Sequence, residues 1–197
     1  MTKSSTTPPR HRGRTLPKRQ DRRWLWALIL VGVVLLVGTT AALRIMRQAG
    51  GIAGLETFGS LPQGHQQGEI AYPQTPPAGG PHNPAWQNCG IYNQPIQKES
   101  GVHSLEHGAV WITYRPDLPS ADIEQLKAVA RSRRFVLLSP FPDLPAPVVA
   151  SAWGLQVKVE NASDPRIEQF AAKYVQGSQT PELGASCTGG IGTPSGS

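Results

Sequence analysis

The strongest hydropathy signal is Trp24 to Leu43, WLWALILVGVVLLVGTTAAL, twenty residues without a charge. As a helix rising about 1.5 Å per residue, such a run spans about 30 Å, the hydrocarbon thickness of a bilayer. Beyond it the periodicities are shorter. Ala109 to Tyr114 alternates β-branched and aromatic residues and predicts a strand. Asp117 to Arg134 predicts a helix, with Ser120 as N-cap and Arg131, Arg133 and Arg134 at its negative end. Its apolar positions Ile123, Leu126, Val129 and Ala130 form one stripe. Phe135 to Leu138 predicts a buried strand. Val148 to Val159 predicts one or two strands around Trp153-Gly154, with Gln156 and Lys158 alternating against Leu155, Val157 and Val159. Asp164-Pro165 opens a last helix to Val175, with Ile167, Phe170, Ala171 and Tyr174 inward. Glu69 to Tyr72 predicts a further short strand.

This order predicts an α+β fold: a small antiparallel or mixed sheet with two helices on one face, preceded by one transmembrane helix. The expected organisation is a basic, disordered cytoplasmic tail at 1–23, the membrane helix at 24–43 and a Gly-rich tether at 44–62. An extracytoplasmic domain at 63–187 and a flexible tail at 188–197 follow. Pro73 to Pro84 holds five prolines and two glycines. It cannot form a regular ladder or helix, and a long irregular loop inside a domain is often functional.

Charge sets the orientation. Residues 1–23 carry eight basic side chains against one acid, and only Arg44 and Arg47 follow the apolar run closely. The bias predicts a cytoplasmic amino terminus and a domain outside, anchored in the cell membrane by a single pass. A cleaved signal peptide is the rival, but its apolar core would be shorter, about 7–15 residues. The overall charge of +6 misleads, because residues 48–197 carry nine basic and twelve acidic side chains, a net of −3. That balance excludes nucleic-acid binding by the folded part, which requires a basic surface.

Three of the five histidines and one of the two cysteines fall between residues 82 and 107. His82 lies in the Pro-framed loop, Cys89 lies three residues past Trp86, and His103, Glu106 and His107 share the word Val102-His103-Ser104-Leu105-Glu106-His107-Gly108. Imidazole, carboxylate and thiolate build transition-metal sites. The candidate metal ligands are His82, His103, His107, Glu106 and Cys89, the ion copper or zinc; His65 is a lesser candidate. On a helical turn His103 and His107 lie about 6 Å apart and can chelate one ion. On a strand they lie about 13 Å apart and cannot. Gly108 at a helix-ending position favours the first case. The polar alternative is that Glu106 orients one imidazole and the histidines only brace the loop.

Two cysteines outside the cytoplasm most simply form one disulfide, Cys89 with Cys187; a reduced Cys89 acting as a soft ligand is the alternative. His-Ser-Leu-Glu-His also fits the H-x-x-E-H word of inverted zinc peptidases, although Gly101 and Gly108 leave little room for the long helix such chemistry needs. There is no phosphate-binding Gly-rich loop and no G-x-S-x-G elbow.

The strings PPAGGPHNPAWQNCGIY and VHSLEHGAVWITYRPDLP resemble the bacterial family known as domain of unknown function 3105. The resemblance runs from about Gly64 to Cys187, and Pro181-Glu182 and Cys187 resemble its closing words. It implies a small protein with an amino-terminal membrane segment and one extracytoplasmic domain. It places His82, Cys89, His103, Glu106, His107 and Cys187 in the family's characteristic set, and it implies no catalytic residue and no substrate. Three functions fit: a membrane-anchored domain that binds copper or zinc, a non-catalytic envelope module with a protein partner, and a metal-dependent hydrolase with Glu106 as general base.

Overall fold

The computed structural model describes residues 23–49 and 51–195. The expected tail at 1–22 lies outside the described residues. The chain divides into two compact units, residues 1–50 and 51–197. The described residues of the first form the helix α1 (Arg23–Ala49), of 27 residues. Its large apolar side chains from Trp24 to Val37 are exposed wherever they are described. Among the described residues no helix is long and apolar enough to cross a membrane.

The second unit is a mixed α+β fold. Its elements are β1 (Glu56–Thr57), β2 (Gly90–Ile91), α2 (Lys98–Glu106), β3 (Val110–Tyr114), α3 (Ser120–Arg131), β4 (Val136–Pro140), β5 (Val148–Ala152), β6 (Leu155–Val159) and α4 (Pro165–Tyr174). Six strands form one sheet in the order β1-β6-β5-β3-β4-β2. β3 and β4 pair in parallel, with α3 as the crossover, and β2 adds in parallel to β4. β5 pairs antiparallel with both β3 and β6. The mixed sheet follows from the connections: the two-residue turn Trp153-Gly154 makes β5 and β6 a hairpin, whereas a parallel pair needs a long crossover.

Side chains alternate strictly across the sheet. Val110, Ile112 and Tyr114 of β3, Val136 and Leu138 of β4, and Val157 and Val159 of β6 face one way. They pack on Leu126 and Ala130 of α3 and on Ile167, Phe170, Ala171 and Tyr174 of α4. Both inward stripes are those expected from periodicity. Asp164 caps α4 by accepting from the Arg166 amide at 2.9 Å, and Pro165 occupies the first turn. The cap of α3 differs from expectation. Pro119 is the N-cap, and its carbonyl accepts from Asp122 and Ile123, so Ser120 is already helical and caps nothing.

The opposite face carries the third helix of the unit, which corrects the expectation of two helices on one face. Val102 and Leu105 of α2 pack on Trp111 and Leu137, the outward-alternating residues of β3 and β4. Two further expectations are corrected. Glu69 to Tyr72 forms no strand; Ile70 is held instead by its amide, which donates to the buried Glu99 carboxylate at 2.9 Å. The folded unit also reaches into the stretch expected as tether. Ile52 is in the core, β1 pairs with β6, and Lys158 meets Glu56 at 2.8 Å.

Gly101 explains how α2 fits so closely on the sheet. A Cβ there would lie 2.7 Å from Cζ3 of Trp111, which is itself fully buried and donates its indole N–H to Ser139 Oγ at 3.0 Å. The ring therefore has no room to retreat. Gly101→Ala should cost about 1–3 kcal/mol of stability by overpacking. Urea unfolding of the variant checks this, and a midpoint equal to wild type would refute the close-packing account.

Candidate metal centre

α2 is where local sequence and site meet. Its last turn ends in a Schellman motif: the Gly108 amide donates to Leu105 O at 3.0 Å and the Ala109 amide to Ser104 O at 2.9 Å. Gly108 has φ +93°, the left-handed conformation that this closure requires. A side chain there would also collide with Gln176 and Thr180. His107 is the C-cap and its amide donates to His103 O at 3.1 Å. The helical alternative is thus the one realised, and the two imidazole centroids stand 4.5 Å apart.

The Pro-rich loop brings the third imidazole. Its residues 76–80 are buried. Three bonds hold the loop: Gln156 to Pro76 O at 2.6 Å, the Gly154 amide to Ala78 O at 2.7 Å and the Tyr72 hydroxyl to Pro81 O at 2.6 Å. His82 is consequently fully buried, its ring centroid 4.7 Å from that of His103. His65 joins by backbone pairing with His82 and stacks on His103, with centroids 4.9 Å apart. Trp86 packs against both His103 and His107.

Each of the three buried rings makes the same kind of bond. Nδ1 of His82 lies 2.8 Å from Gly80 O, Nδ1 of His103 2.6 Å from Asn83 O, and Nδ1 of His107 2.6 Å from Ser186 O. A carbonyl oxygen only accepts, so Nδ1 carries the proton in each neutral ring and Nε2 keeps a lone pair. This is the outer support that metal-bound histidines typically have. Nε2 of His82 faces Oε2 of Glu106 at 2.9 Å, close enough for an ion pair, yet it makes no aligned hydrogen bond. The distance and the alignment disagree, and the alignment is the better guide to bonding. Two electron-rich atoms that close in a buried place require a cation between them, either a proton or a metal ion.

Among the described residues two groups of potential ligands emerge: His65, His82, His103 and Glu106, and a second of His103, His107 and Glu182. Within each, one ligand atom per residue lies within 4.8 Å of the others. Ligands about 2.0–2.1 Å from a tetrahedral ion sit about 3.3 Å apart, so small side-chain shifts would close either set. Of the expected ligands, His82, His103 and Glu106 meet in the first group, and His103 meets His107 in the second. Cys89 is not among them. It is bonded to Cys187, with Cα atoms 5.4 Å apart, and offers no thiolate. Glu182 is the residue that sequence reasoning did not place in the site; its Oε2 lies 3.4 Å from Nε2 of His107. Its only signal was the Pro181-Glu182 word.

The carboxyl-terminal strap completes the site. The Glu182 amide donates to Glu106 O at 3.0 Å, and Gln176 donates to the His107 carbonyl. Beyond the disulfide, Ile191 exchanges backbone bonds with Trp86 and Asn88, and the Ser195 amide reaches Ile91 O at 2.7 Å. The H-x-x-E-H peptidase arrangement finds little support in this geometry. α2 is nine residues long, His107 caps it, and Glu106 faces His82.

An α+β domain with a largely buried cluster of histidines and carboxylates is the class that fold and site define. The chain belongs to the family described as protein of unknown function DUF3105, whose model matches residues 65–189. No curated protein and no solved structure matches it.

Burial holds the pKa of His103 down at about 4; the nearby His107, His82 and His65 push the same way, while the Asn83 carbonyl opposes them. The metal-free ring is therefore neutral at pH 7. In the unfolded chain it titrates near about 6.5, so its contribution to stability is full above that pH and is lost as pH falls toward about 4. Histidine NMR titration of the metal-free protein should find one ring that resists protonation to about pH 4. A value near about 6.5 for His103 would contradict the burial argument.

Proposed function

We propose that this protein binds a transition-metal ion, copper or zinc, in an extracytoplasmic domain anchored to the cell membrane through the uncharged run Trp24 to Leu43. His82, His103 and His107 supply the nitrogens, and Glu106 serves as ligand or as partner to a ligand. The role is metal handling or sensing at the cell surface. The observation that carries the reading is the set of three Nδ1–H bonds to carbonyls, which leaves the three Nε2 lone pairs available within two overlapping ligand groups that share His103. An N/O donor set of this kind suits Zn(II) and Cu(II), and the Irving–Williams order favours copper where both compete.

A second reading is favoured by the same bonds. Each histidine ties down a loop at Gly80, Asn83 or Ser186, so the cluster would serve as the brace of an envelope interaction module. Metal titration separates the two. The purified full chain should bind about one equivalent of Cu(II) or Zn(II), and His103→Ala/His107→Ala should lose it. No metal bound by wild type, with both cysteines oxidised, would leave only the brace.

The anchor reading is supported by the uncharged run Trp24 to Leu43, which as a helix would span about 30 Å. The basic excess before that run supports a cytoplasmic amino terminus, and the disulfide fits an oxidising compartment. Alkaline carbonate should leave the protein with the membrane pellet, and protease added to intact cells should cleave the domain while sparing residues 1–23. Release by carbonate would end the anchor proposal.

A further inference from the structure

His103 is central in a way that one binding site does not require. It belongs to both ligand groups, to His65, His82 and Glu106 on one side and to His107 and Glu182 on the other. Its ring centroid lies 4.9 Å from that of His65, 4.7 Å from His82 and 4.5 Å from His107. Its Nδ1 proton is committed to Asn83 O, so Nε2 is the one atom it can offer, and one lone pair binds one ion at a time.

The two groups also differ in character. Around the first, His82, His103 and Glu106 are buried and His65 is exposed. In the second, Glu182 is the solvent-facing member, its side chain 52% exposed, and it comes from the strap, whereas the ligands of the first group come from α2 and the loops before it.

We infer that the centre has two ion positions that share His103, one with His82, Glu106 and His65 and the other with His107 and Glu182, so that an ion passes between them while His103 stays bound. This rests on the metal-binding reading. In the step, the bonds from the ion to His82, Glu106 and His65 break as those to His107 and Glu182 form. The oxidation state does not change, so no oxidant or reductant is needed. Each position has one exposed ligand, His65 in the first and Glu182 in the second, so an ion can arrive at one and leave from the other. A carrier that loads and unloads needs such a pair; a purely structural zinc site is closed and needs only one.

The test is Cu(II) electron paramagnetic resonance of the full chain in detergent, loaded with less than stoichiometric copper. Wild type should show two superimposed Cu(II) spectra. Glu182→Ala, a change at an exposed side chain that should not disturb folding, should remove one spectrum and leave the other. His65→Ala, also exposed, should shift only the spectrum that Glu182→Ala leaves. His103→Ala should abolish both, and circular dichroism would verify that it folds. A single wild-type spectrum unchanged by Glu182→Ala, or one spectrum altered by both exposed variants, would overturn the two-position inference while leaving metal binding intact. A wild type that takes up no copper and no zinc would overturn the metal-binding reading itself.

Discussion

The rest of this structure depends on three imidazole N–H groups finding backbone carbonyls. A buried neutral histidine must place one proton and one lone pair, and its tautomer is set by whichever partner is fixed. Here the fixed partners are Gly80, Asn83 and Ser186, from the Pro-rich loop and the carboxyl-terminal strap. With the protons so committed, Nε2 of His82 is left facing Glu106 and Nε2 of His107 facing Glu182. Had the rings bonded each other instead, the cluster would be a closed polar network with nothing left to offer a ligand. The surrounding architecture keeps those carbonyls in place: prolines stiffen one carrier and the Cys89–Cys187 bond ties the other.

The sheet separates stability from site. One face meets α3 and α4 through an apolar layer with the large buried side chains Phe170, Ile167 and Leu126. The other face is also buried but chemically mixed, and its polar groups are paired: Thr113 with Val149 O at 3.1 Å, Ser139 with the Trp111 indole, Gln156 with Pro76 O and Ser151. The Gln156 bond holds the loop on the sheet, and the Ser139 bond fixes the Trp111 ring on which Gly101 of α2 packs. A polar network of this kind adds little net stability per bond, about 1 kcal/mol, but leaving any member unpaired costs more. The apolar face supplies stability, and the polar face supplies position.

This division decides what could be read from sequence. Elements that bury one apolar stripe announce themselves by period, and α3, α4, β3, β5 and β6 were legible for that reason. α2 was not, because KESGVHSLE is polar with a central glycine and its burial comes from Trp111 and the loop rather than from an apolar stripe. β1 and β2 have two residues each, too few for any period. His82, His103, Glu106 and His107 were legible as a set, since those residue types crowd one stretch of chain. The carbonyls that orient them were not, because every residue has one and only the fold selects Gly80, Asn83 and Ser186. Glu182 was hidden by distance: 75 residues of chain separate it from His107, which it meets through the strap.

The strap and the loop also make the two halves of the centre unequal. The partners of His82 and His103 lie two and twenty residues away in sequence, while that of His107 lies 79 residues away, next to Cys187. Closing so long a loop costs entropy that a disulfide spanning 98 residues removes from the unfolded chain. The loop half of the cluster therefore needs only the Pro-rich segment in place. The strap half, with the Nδ1 partner of His107 and the Glu182 carboxylate, depends on the disulfide as well. A thiol-reducing compartment would loosen the second half first, and an oxidising compartment is where both can be held at once.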